Sequence, residues 1–265
     1  MFKAKKSLGQ NFISDPQIIE EIVDACGAGP SDTVVEIGPG KGALTCSLAE
    51  RAGRVIAVEL DSSVIPLLKG NLAGAQNVEV VGEDILKFDW SRVPSGTLRI
   101  IGNLPYYITT PILLGILEKN VPAESITVMV QKEVAERIVA KPGGRDYGVL
   151  SVSLQYYADC SKVLDVPAEY FEPRPKVDSA VVHMVLKKER LFEPGSKEEK
   201  QFFAVVKAAF SQRRKTLLNS LAAAYGKQRV SAALEAAGIE SSRRPETLAI
   251  EEFKALTEAL EKQSG

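Results

Sequence analysis

Five short apolar runs follow one another in the first half of the chain, about 20 residues apart. They are TVVEIG (33–38), VIAVEL (55–60), VEVVGED (78–84), LRIIGNL (98–104) and SITVMVQ (125–131). This spacing leaves room for a crossover after each strand, and strands joined by crossovers run parallel. Before the first run, Asp15 and Pro16 form the start of a helix, because apolar residues recur after them at helical spacing. The chain is therefore predicted to be an α/β protein with a mostly parallel sheet.

Two longer runs, SVSLQYYADCSKVLDV (151–166) and SAVVHMVLKK (179–188), are joined without room for a helix. We therefore expect them to form an antiparallel pair at one edge of the sheet. The next segment, 187–200, is polar and holds a proline and a glycine, which indicates a domain boundary. Beyond it the pattern is helical. The prediction is a catalytic domain at 1–187 and a small all-α domain at 188–265.

Composition narrows the possible chemistry. No stretch approaches the roughly 18 consecutive apolar residues of a membrane span, and the chain begins without an apolar secretion signal, so we expect a cytoplasmic protein with no membrane partner. Cys26, Cys46 and Cys160 are far apart and are predicted to be small buried hydrophobes. The only histidine, His183, lies in an alternating run and is predicted to be a strand residue. Ser-His catalysis and a metal site are therefore disfavoured.

Basic residues are concentrated in the last third of the chain. Residues 187–265 contain 15 Lys and Arg against 11 Asp and Glu, a balance of +4, so the net charge of −1 leaves −5 for residues 1–186. Residues 200–234 contain no acidic residue at all. A solvated helix face normally mixes both signs, so this run favours a polyanionic partner. The candidate contacts are Lys207, Arg213, Arg214 and Lys215.

A glycine-rich loop, EIGPGKGALT (36–45), follows the first predicted strand. Its glycines allow a sharp turn and a close approach to a ligand, and the next helix begins with free N–H groups at the cleft. Gly38 and Gly40 also fit the dinucleotide pattern, so the loop alone leaves a NAD enzyme and a methyltransferase equally open. Glu59, at the end of the second strand, suits two ribose hydroxyls. Asp84, after the third strand, could accept from an adenine amine or cap a helix.

The stretch GNLPYY (102–107) follows the fourth predicted strand and decides between the two cofactors. The amine of adenine is a poor nucleophile because its lone pair is delocalised into the ring. The side-chain oxygen of Asn103 and the main-chain carbonyl of Leu104 could accept its two N–H bonds and leave the lone pair facing a methyl donor. Tyr106 could stack on the base once it has left its helical stack. Hydride transfer needs no such pair, so a methyltransferase is favoured.

These motifs resemble those of a known family. EIGPGKG, GEDIL and GNLPYY are similar to motifs of the S-adenosylmethionine-dependent adenine methyltransferases of ribosomal RNA, and SLGQNF (7–12) resembles the segment that closes over their cofactor. Three further stretches, at 131–152, 171–182 and 208–221, resemble the small-subunit ribosomal RNA adenine dimethyltransferases. The resemblance extends over nearly the whole chain. Tyr107 departs from it, because asparagine often stands at this position in the family.

The resemblance implies a Rossmann-like class I methyltransferase sheet and S-adenosyl-L-methionine as cofactor. It also implies dimethylation of N6 on two adjacent adenines, in the hairpin loop near the 3′ end of small-subunit ribosomal RNA within a pre-ribosomal particle. We expect a monomer. The implied cofactor residues are Gln10, Asn11, Ile13, Gly38, Gly40, Glu59, Asp84, Ile85 and Asn103. The implied catalytic residues are Asn103, Leu104, Tyr106 and Phe171, the last facing Tyr106 across the target base.

Two other functions fit parts of the sequence. The erythromycin-resistance methyltransferases, which modify large-subunit RNA, share the fold, but PKVDSAV and SQRRKTL favour the small-subunit enzymes. A non-catalytic ribosome-assembly factor could keep the fold as an RNA clamp. The intact NLPY stretch and glycine loop argue against a loss of catalysis.

Overall fold

The computed structural model describes residues 10–212 and 214–263. They form two compact units. The first consists of the described residues up to Ala135 together with Ala158–Leu186, and the second consists of Glu136–Tyr157 together with the described residues from Lys187 onward. No helix in these ranges has the length and apolar character needed to cross a bilayer.

The strands all belong to the first unit. They are β1 (Phe12–Ile13), β2 (Thr33–Ile37), β3 (Arg54–Val58), β4 (Val78–Val81), β5 (Leu98–Asn103), β6 (Ala123–Gln131), β7 (Ala158–Val166), β8 (Phe171–Glu172) and β9 (Ser179–Leu186). Seven of them form one sheet in the order β4-β3-β2-β5-β6-β9-β7, and β1 pairs with β8. Strands β2 to β6 run parallel to one another, whereas β9 is antiparallel to both β6 and β7. The predicted parallel sheet and its antiparallel edge are confirmed.

The strand order reverses at β2, which lies between β3 and β5. The loops that follow β2 and β5 therefore diverge at the carboxyl edge of the sheet, where open α/β sheets bind ligands. All five residues of β2 are buried, as expected of a central parallel strand covered on both faces. One of these buried residues is the carboxylic acid Glu36.

The helices are α1 (Pro16–Cys26), α2 (Ala43–Arg51), α3 (Ile65–Asn71), α4 (Thr109–Glu118), α5 (Lys132–Val139), α6 (Val149–Tyr157), α7 (Lys197–Ala209), α8 (Leu217–Tyr225), α9 (Lys227–Ala236) and α10 (Ile250–Lys262). Helix α1 begins as predicted, with Pro16 at its start and the Asp15 carboxylate accepting from the N–H of Ile18 at 3.1 Å. It ends at Gly27, whose φ of 65° few other residues tolerate. The apolar face of α1 packs into a core that also includes Leu48 of α2 and Ile101 of β5.

In the second unit, α6 and α7 share an aromatic cluster around the buried ring of Tyr156. Its centroid lies 5.0 Å from that of Phe202, and its hydroxyl donates to Oε1 of Glu199 at 3.0 Å. The other oxygen of Glu199 accepts from the N–H of Gly195. This buried carboxylate is thus held by two donors, as a buried charge requires. The predicted helical character of the chain beyond residue 188 is confirmed.

The structure corrects the predicted strand at 151–166. Its first half belongs to helix α6, and only Ala158–Val166 is a strand. Buried residues are continuous along 151–154, with no alternation, and both serines in that stretch are buried. Ser151 and Gln155 donate to the main-chain carbonyls of residues 137, 138 and 140, contacts one helical turn apart on α6. The two tyrosines favour a strand by propensity, and tertiary packing overrides that preference.

The cysteine prediction is correct only for Cys26. That thiol is buried in the core, and burial raises its pKa to about 11. Cys46 is exposed and Cys160 is partly exposed, and these described cysteines form no disulfide. Cys46 lies on the outward face of α2, between the buried residues Thr45 and Ser47. His183 lies in β9 as predicted, with Nδ1 2.9 Å from the Thr127 hydroxyl on the neighbouring strand.

Candidate active site

A cleft opens at the carboxyl edge of the sheet in the first unit. It brings together residues that are far apart in sequence. Its lining consists of Gln10, Asn11, Phe12, Ile37, Gly38, Gly40, Val58, Glu59, Leu60, Glu83, Asp84, Ile85, Asn103, Leu104, Pro105, Tyr106, Tyr107, Ile108 and Ile112. Most of the predicted cofactor and catalytic residues therefore share one cavity, and Leu60, Glu83 and Tyr107 were not predicted to line it.

The glycine loop forms one wall of the cleft. Gly38 and Gly40 have φ values of 67° and 56°, a left-handed conformation that glycine adopts without strain. A Cβ atom on Gly40 would lie 2.7 Å from the ring of Phe12. The loop can therefore pass under the segment that contains Phe12 only with glycine at this position. The N–H of Gly40 then points at Glu59 and donates to its Oε2 at 3.0 Å.

Glu59 follows β3 and is only 6% exposed. Its Oε2 accepts from Gly40 and its Oε1 accepts from the N–H of Asp61 at 2.8 Å. Burial raises the pKa of Glu59 above its usual value. The side chain of Gln10 donates to the neighbouring Asp61 carboxylate at 2.9 Å, which ties the first described segment of the chain to the same corner. Each Glu59 oxygen has a second lone pair, so the carboxylate can still accept from ligand hydroxyls.

Glu36 is a residue of this region that sequence reasoning missed. It is 1% exposed, and its Oε2 has no hydrogen-bond partner among the described residues. It lines a cavity that shares Phe12, Gly38 and Asn103 with the cleft and that is also lined by Ile13. A single acid inside the otherwise apolar strand TVVEI is the sequence signal that would have identified it. A buried carboxyl oxygen without a partner, beside a ligand cleft, suits a cationic or hydrogen-bond-donating group.

Burial, with the nearby Glu59 carboxylate, raises the pKa of Glu36 to about 7. Between its usual value of 4.5 and this value, the folded protein holds a proton that the unfolded chain lacks. The free energy of unfolding should therefore fall as pH rises through this window, by about 3 kcal/mol in total. Glu36→Gln removes the titration, so the variant should gain stability relative to wild type between pH 5 and pH 8 in urea denaturation. An equal difference at both pH values would contradict this assignment.

Asp84 and Ile85 line the cleft beyond β4. Oδ1 of Asp84 accepts from the N–H of Leu86 at 3.0 Å, so the side chain closes the turn that follows the strand. Ile85 is buried and presents an apolar surface to the cleft. Asp84 thus has a local structural role and also lines the cavity. The helix cap considered for it from sequence is not found, because a turn rather than a helix follows Asp84.

Asn103 ends β5 and has a fixed orientation. Its Nδ2 donates to the main-chain carbonyl of Asn11 at 2.9 Å. This contact engages the donor end of the amide, so Oδ1 is the end that can accept from a ligand. The N–H of the next residue, Leu104, is bonded to the carbonyl of Met129 on β6 at 3.1 Å, and the carbonyl of Pro105 accepts from Ile108. The turn that carries the two predicted acceptors is therefore held by its own backbone.

The two tyrosines of this turn differ in their surroundings. The hydroxyl of Tyr106 lies 2.8 Å from that of Ser179, the first residue of β9, and burial raises the Tyr106 pKa. Tyr107 is 58% exposed. Phe171 is buried in the core opposite Ile13 in the β1–β8 pair, and it does not belong to the cleft lining given above. The predicted pairing of Phe171 with Tyr106 across a base remains a prediction.

The candidate polyanion contacts lie in the second unit. Lys207 lies in the last turn of α7, and Arg214 and Lys215 lie in the connection to α8. All three side chains are exposed. Arg213 lies outside the described residues. The described part of the chain contains no group of three or more His, Cys, Asp or Glu side chains that could hold a metal ion.

Comparison with known proteins identifies close relatives. The family model for ribosomal RNA adenine dimethylase matches residues 1–262. A protein of Desulfitobacterium hafniense named ribosomal RNA small subunit methyltransferase A is 51% identical, over 98% of this chain and 93% of its own length. A protein of the same name from Alkaliphilus metalliredigens is 47% identical, over 97% of this chain and 91% of its own length.

Two solved structures share the fold over nearly the whole chain. A dimethyladenosine transferase from Plasmodium falciparum superposes with a TM-score of 0.82 at 27% identity, covering 96% of this chain and 98% of its own. The 23S rRNA methyltransferase ErmE superposes with a TM-score of 0.74 at 31% identity, covering 95% of this chain and 100% of its own. The arrangement of strands and helices described above is therefore that of the Rossmann-like rRNA methyltransferases.

Proposed function

The chain belongs to the ribosomal RNA adenine dimethylase family, and we propose that it methylates N6 of two adjacent adenines in the hairpin loop near the 3′ end of small-subunit ribosomal RNA. The observation that carries the proposal is the orientation of Asn103, whose Nδ2 is bonded to the Asn11 carbonyl on the lining of the cleft. Its Oδ1 is thereby available as an acceptor for an adenine amine.

In this proposal the protein acts mainly by orienting the amine. The Asn103 Oδ1 and the Leu104 carbonyl accept the two N–H bonds, which favours a pyramidal nitrogen whose lone pair faces the methyl donor. Tyr106 stacks on the flipped base, and its ring is held by the contact with Ser179. Because methylation removes one N–H at a time, the second transfer proceeds with one fewer donor. The pocket must therefore also position the monomethylated amine.

The cleft fits S-adenosylmethionine as the methyl donor. When bound, the cofactor supplies an electrophilic methyl group on a positively charged sulfur. It also carries a cationic ammonium, an adenine and a ribose with two hydroxyls. Glu59 is placed at the end of β3 to accept from the ribose, Ile85 offers an apolar surface to the adenine, and the unpaired Glu36 oxygen suits a cation. These residues support the proposal independently of the family match.

The comparisons favour the small-subunit substrate over the large-subunit one. Relatives named ribosomal RNA small subunit methyltransferase A are 44% to 51% identical to this chain, whereas ErmE is 31% identical. We propose that the substrate is presented within a pre-ribosomal small-subunit particle and that the enzyme acts as a monomer. The catalytic domain would comprise 1–187, and the helical domain 188–265 would contribute to RNA recognition.

A labelling experiment tests this proposal. Undermethylated small subunits, large subunits and DNA are each incubated with the protein and methyl-labelled S-adenosylmethionine, and the labelled nucleoside is identified after digestion. We expect N6,N6-dimethyladenosine from small subunits alone. Label in large-subunit RNA would favour the erythromycin-resistance type of activity. Binding to small subunits without any label would favour a non-catalytic assembly factor.

Neutralising the basic connection between α7 and α8 should weaken binding to the RNA particle. Arg214 and Lys215 are exposed, and neither is paired with an acidic side chain in the described part of the chain, so both can bind phosphates. For Arg214→Gln with Lys215→Gln, the slope of log affinity against log salt should become shallower, by about 0.7–0.9 for each phosphate that is no longer neutralised. Filter binding at several salt concentrations measures the slope.

The matched control is Lys197→Gln with Lys254→Gln. It removes the same charge from the same unit, and Lys197 lies at the opposite end of α7 from the basic connection. Each of these lysines is near a glutamate on α10. A salt slope that changes equally in both double variants would indicate a general charge effect. An unchanged slope with a lowered melting temperature would show that Arg214 and Lys215 stabilise the fold instead.

A further inference from the structure

Tyr107 is an aromatic ring left in solvent at the entrance to the active site. At 58% exposed it is the most exposed of the large apolar side chains in the described ranges, and it lines the cleft. Its neighbour Tyr106 is half-buried and anchored through its hydroxyl to Ser179, whereas no hydrogen bond of the Tyr107 side chain is seen among the described residues. Packing in the core does not explain why a large aromatic ring is exposed beside a ligand cleft.

The backbone that carries this ring is held in a turn. Tyr107 lies in a turn closed by the hydrogen bond from the Ile108 N–H to the Pro105 carbonyl at 3.1 Å. The hydroxyl of Thr109, at the start of α4, donates to the same carbonyl. Asn103 and Leu104, the two proposed amine acceptors, immediately precede this turn. The backbone of Tyr107 is therefore held within a few residues of the place where the target adenine would be bound.

We propose that Tyr107 is a stacking platform for the nucleotide next to the target adenine. This inference rests on the proposed function, in which one adenine leaves its stack and enters the cleft. The extrusion deprives the neighbouring base of a stacking partner, and an exposed aromatic ring at the cleft mouth restores one. Because the substrate contains two adjacent adenines, the base that stacks on Tyr107 is an adenine during at least part of the reaction, and purines present a large surface to the ring.

This role differs from that of Tyr106. Tyr106 contacts the base that reacts, whereas Tyr107 is a positioning residue that holds the flanking base. It should therefore affect the capture of RNA more than the chemical step. A competing role is coverage of the cofactor, since the cleft lining is shared. The exposed Leu60, on the β3 side of the cleft, is the better placed apolar cover for a cofactor held by Glu59.

The first test compares Tyr107→Phe, Tyr107→Leu and Tyr107→Ala on undermethylated small subunits. Removal of the ring should raise KM about tenfold with a smaller change in kcat, because one base–aromatic stack is absent. Tyr107→Phe should retain most of the wild-type kcat/KM, and Tyr107→Leu should not. Calorimetry with S-adenosylhomocysteine should give the same affinity in all three variants. A tenfold loss of cofactor affinity in Tyr107→Ala would overturn the proposal in favour of cofactor coverage.

The second test changes the RNA as well. In reconstituted small subunits, the adenine beside the one being assayed is replaced by uracil, which stacks more weakly. Wild-type kcat/KM on the remaining adenine should fall severalfold, and Tyr107→Ala should show little further loss from the same replacement. Losses that simply multiply in the combined case would overturn the proposal. Failure of the wild-type protein to methylate unaltered small subunits would refute the proposed function itself, which separates the two conclusions.

Discussion

Replacing Asn103 by alanine should lower the single-turnover rate of methyl transfer about a hundredfold while leaving most of the cofactor affinity intact. The loss corresponds to about 2–4 kcal/mol, the scale of one oriented polar contact that acts in the transition state. The structure adds a reason for the size of the effect. Nδ2 of Asn103 is bonded to the Asn11 carbonyl, so the substitution removes both the acceptor and the hydrogen bond that orients it. Rapid-quench measurement with saturating RNA particle and labelled cofactor gives the rate.

The variant Asn103→Asp separates the effect of the acceptor oxygen from that of the hydrogen bond that orients it. Aspartate keeps an acceptor oxygen but cannot donate to the carbonyl of Asn11 when ionised. Its rate should therefore lie between those of the wild type and Asn103→Ala. Melting temperatures identify any general loss of folding, since Asn103 also ends a strand of the central sheet. A rate for Asn103→Ala close to that of wild type would contradict the proposed role of the amide.

The fold could be predicted from sequence where the local residue pattern and the tertiary packing favour the same secondary structure. The strands of the parallel sheet are buried on both faces, so they appear as short apolar runs that few other structures produce. The start of α1 was equally clear, since Asp15 and Pro16 act through neighbouring backbone atoms. The prediction of a strand at 151–157 was wrong for the opposite reason. Its helix depends on burial of small polar residues and on side-chain contacts with residues 137–140, which no local pattern reveals.

The features of the candidate site can likewise be divided into those that could be predicted from sequence and those that could not. Residues placed at the ends of successive strands, such as Glu59 and Asn103, could be located because parallel strands end at one edge of a sheet. Two other features could not be predicted: the Glu36 oxygen without a hydrogen-bond partner and the exposed ring of Tyr107. Both depend on which atoms the neighbouring segments leave uncovered. For Phe171, the position opposite Tyr106 across the base that the resemblance implies remains a prediction. The structure places it in the core, paired with Ile13.

Glu59→Ala should weaken S-adenosylmethionine binding about 10- to 150-fold, since hydrogen bonds to a charged group contribute about 1.5–3 kcal/mol. Part of this loss is indirect. Glu59 accepts from the N–H groups of Gly40 and Asp61, so its removal also frees the glycine loop. Glu59→Gln keeps one acceptor oxygen for these contacts and should bind more tightly than Glu59→Ala. Calorimetry with S-adenosylmethionine, in the absence of RNA, gives the affinities, and NAD should not compete in the same titration.

The control for charge is Glu79→Ala, which removes one carboxylate from the neighbouring strand β4. Glu79 is partly exposed, pairs with Arg54 and does not line the cleft. If the cleft attracted its cationic ligand only through its general negative potential, the two alanine variants would lose similar affinity. A contact with the ribose requires instead that the loss be specific to Glu59. Equal losses in Glu59→Ala and Glu79→Ala, or competition by NAD, would remove the basis for placing the ribose at the end of β3.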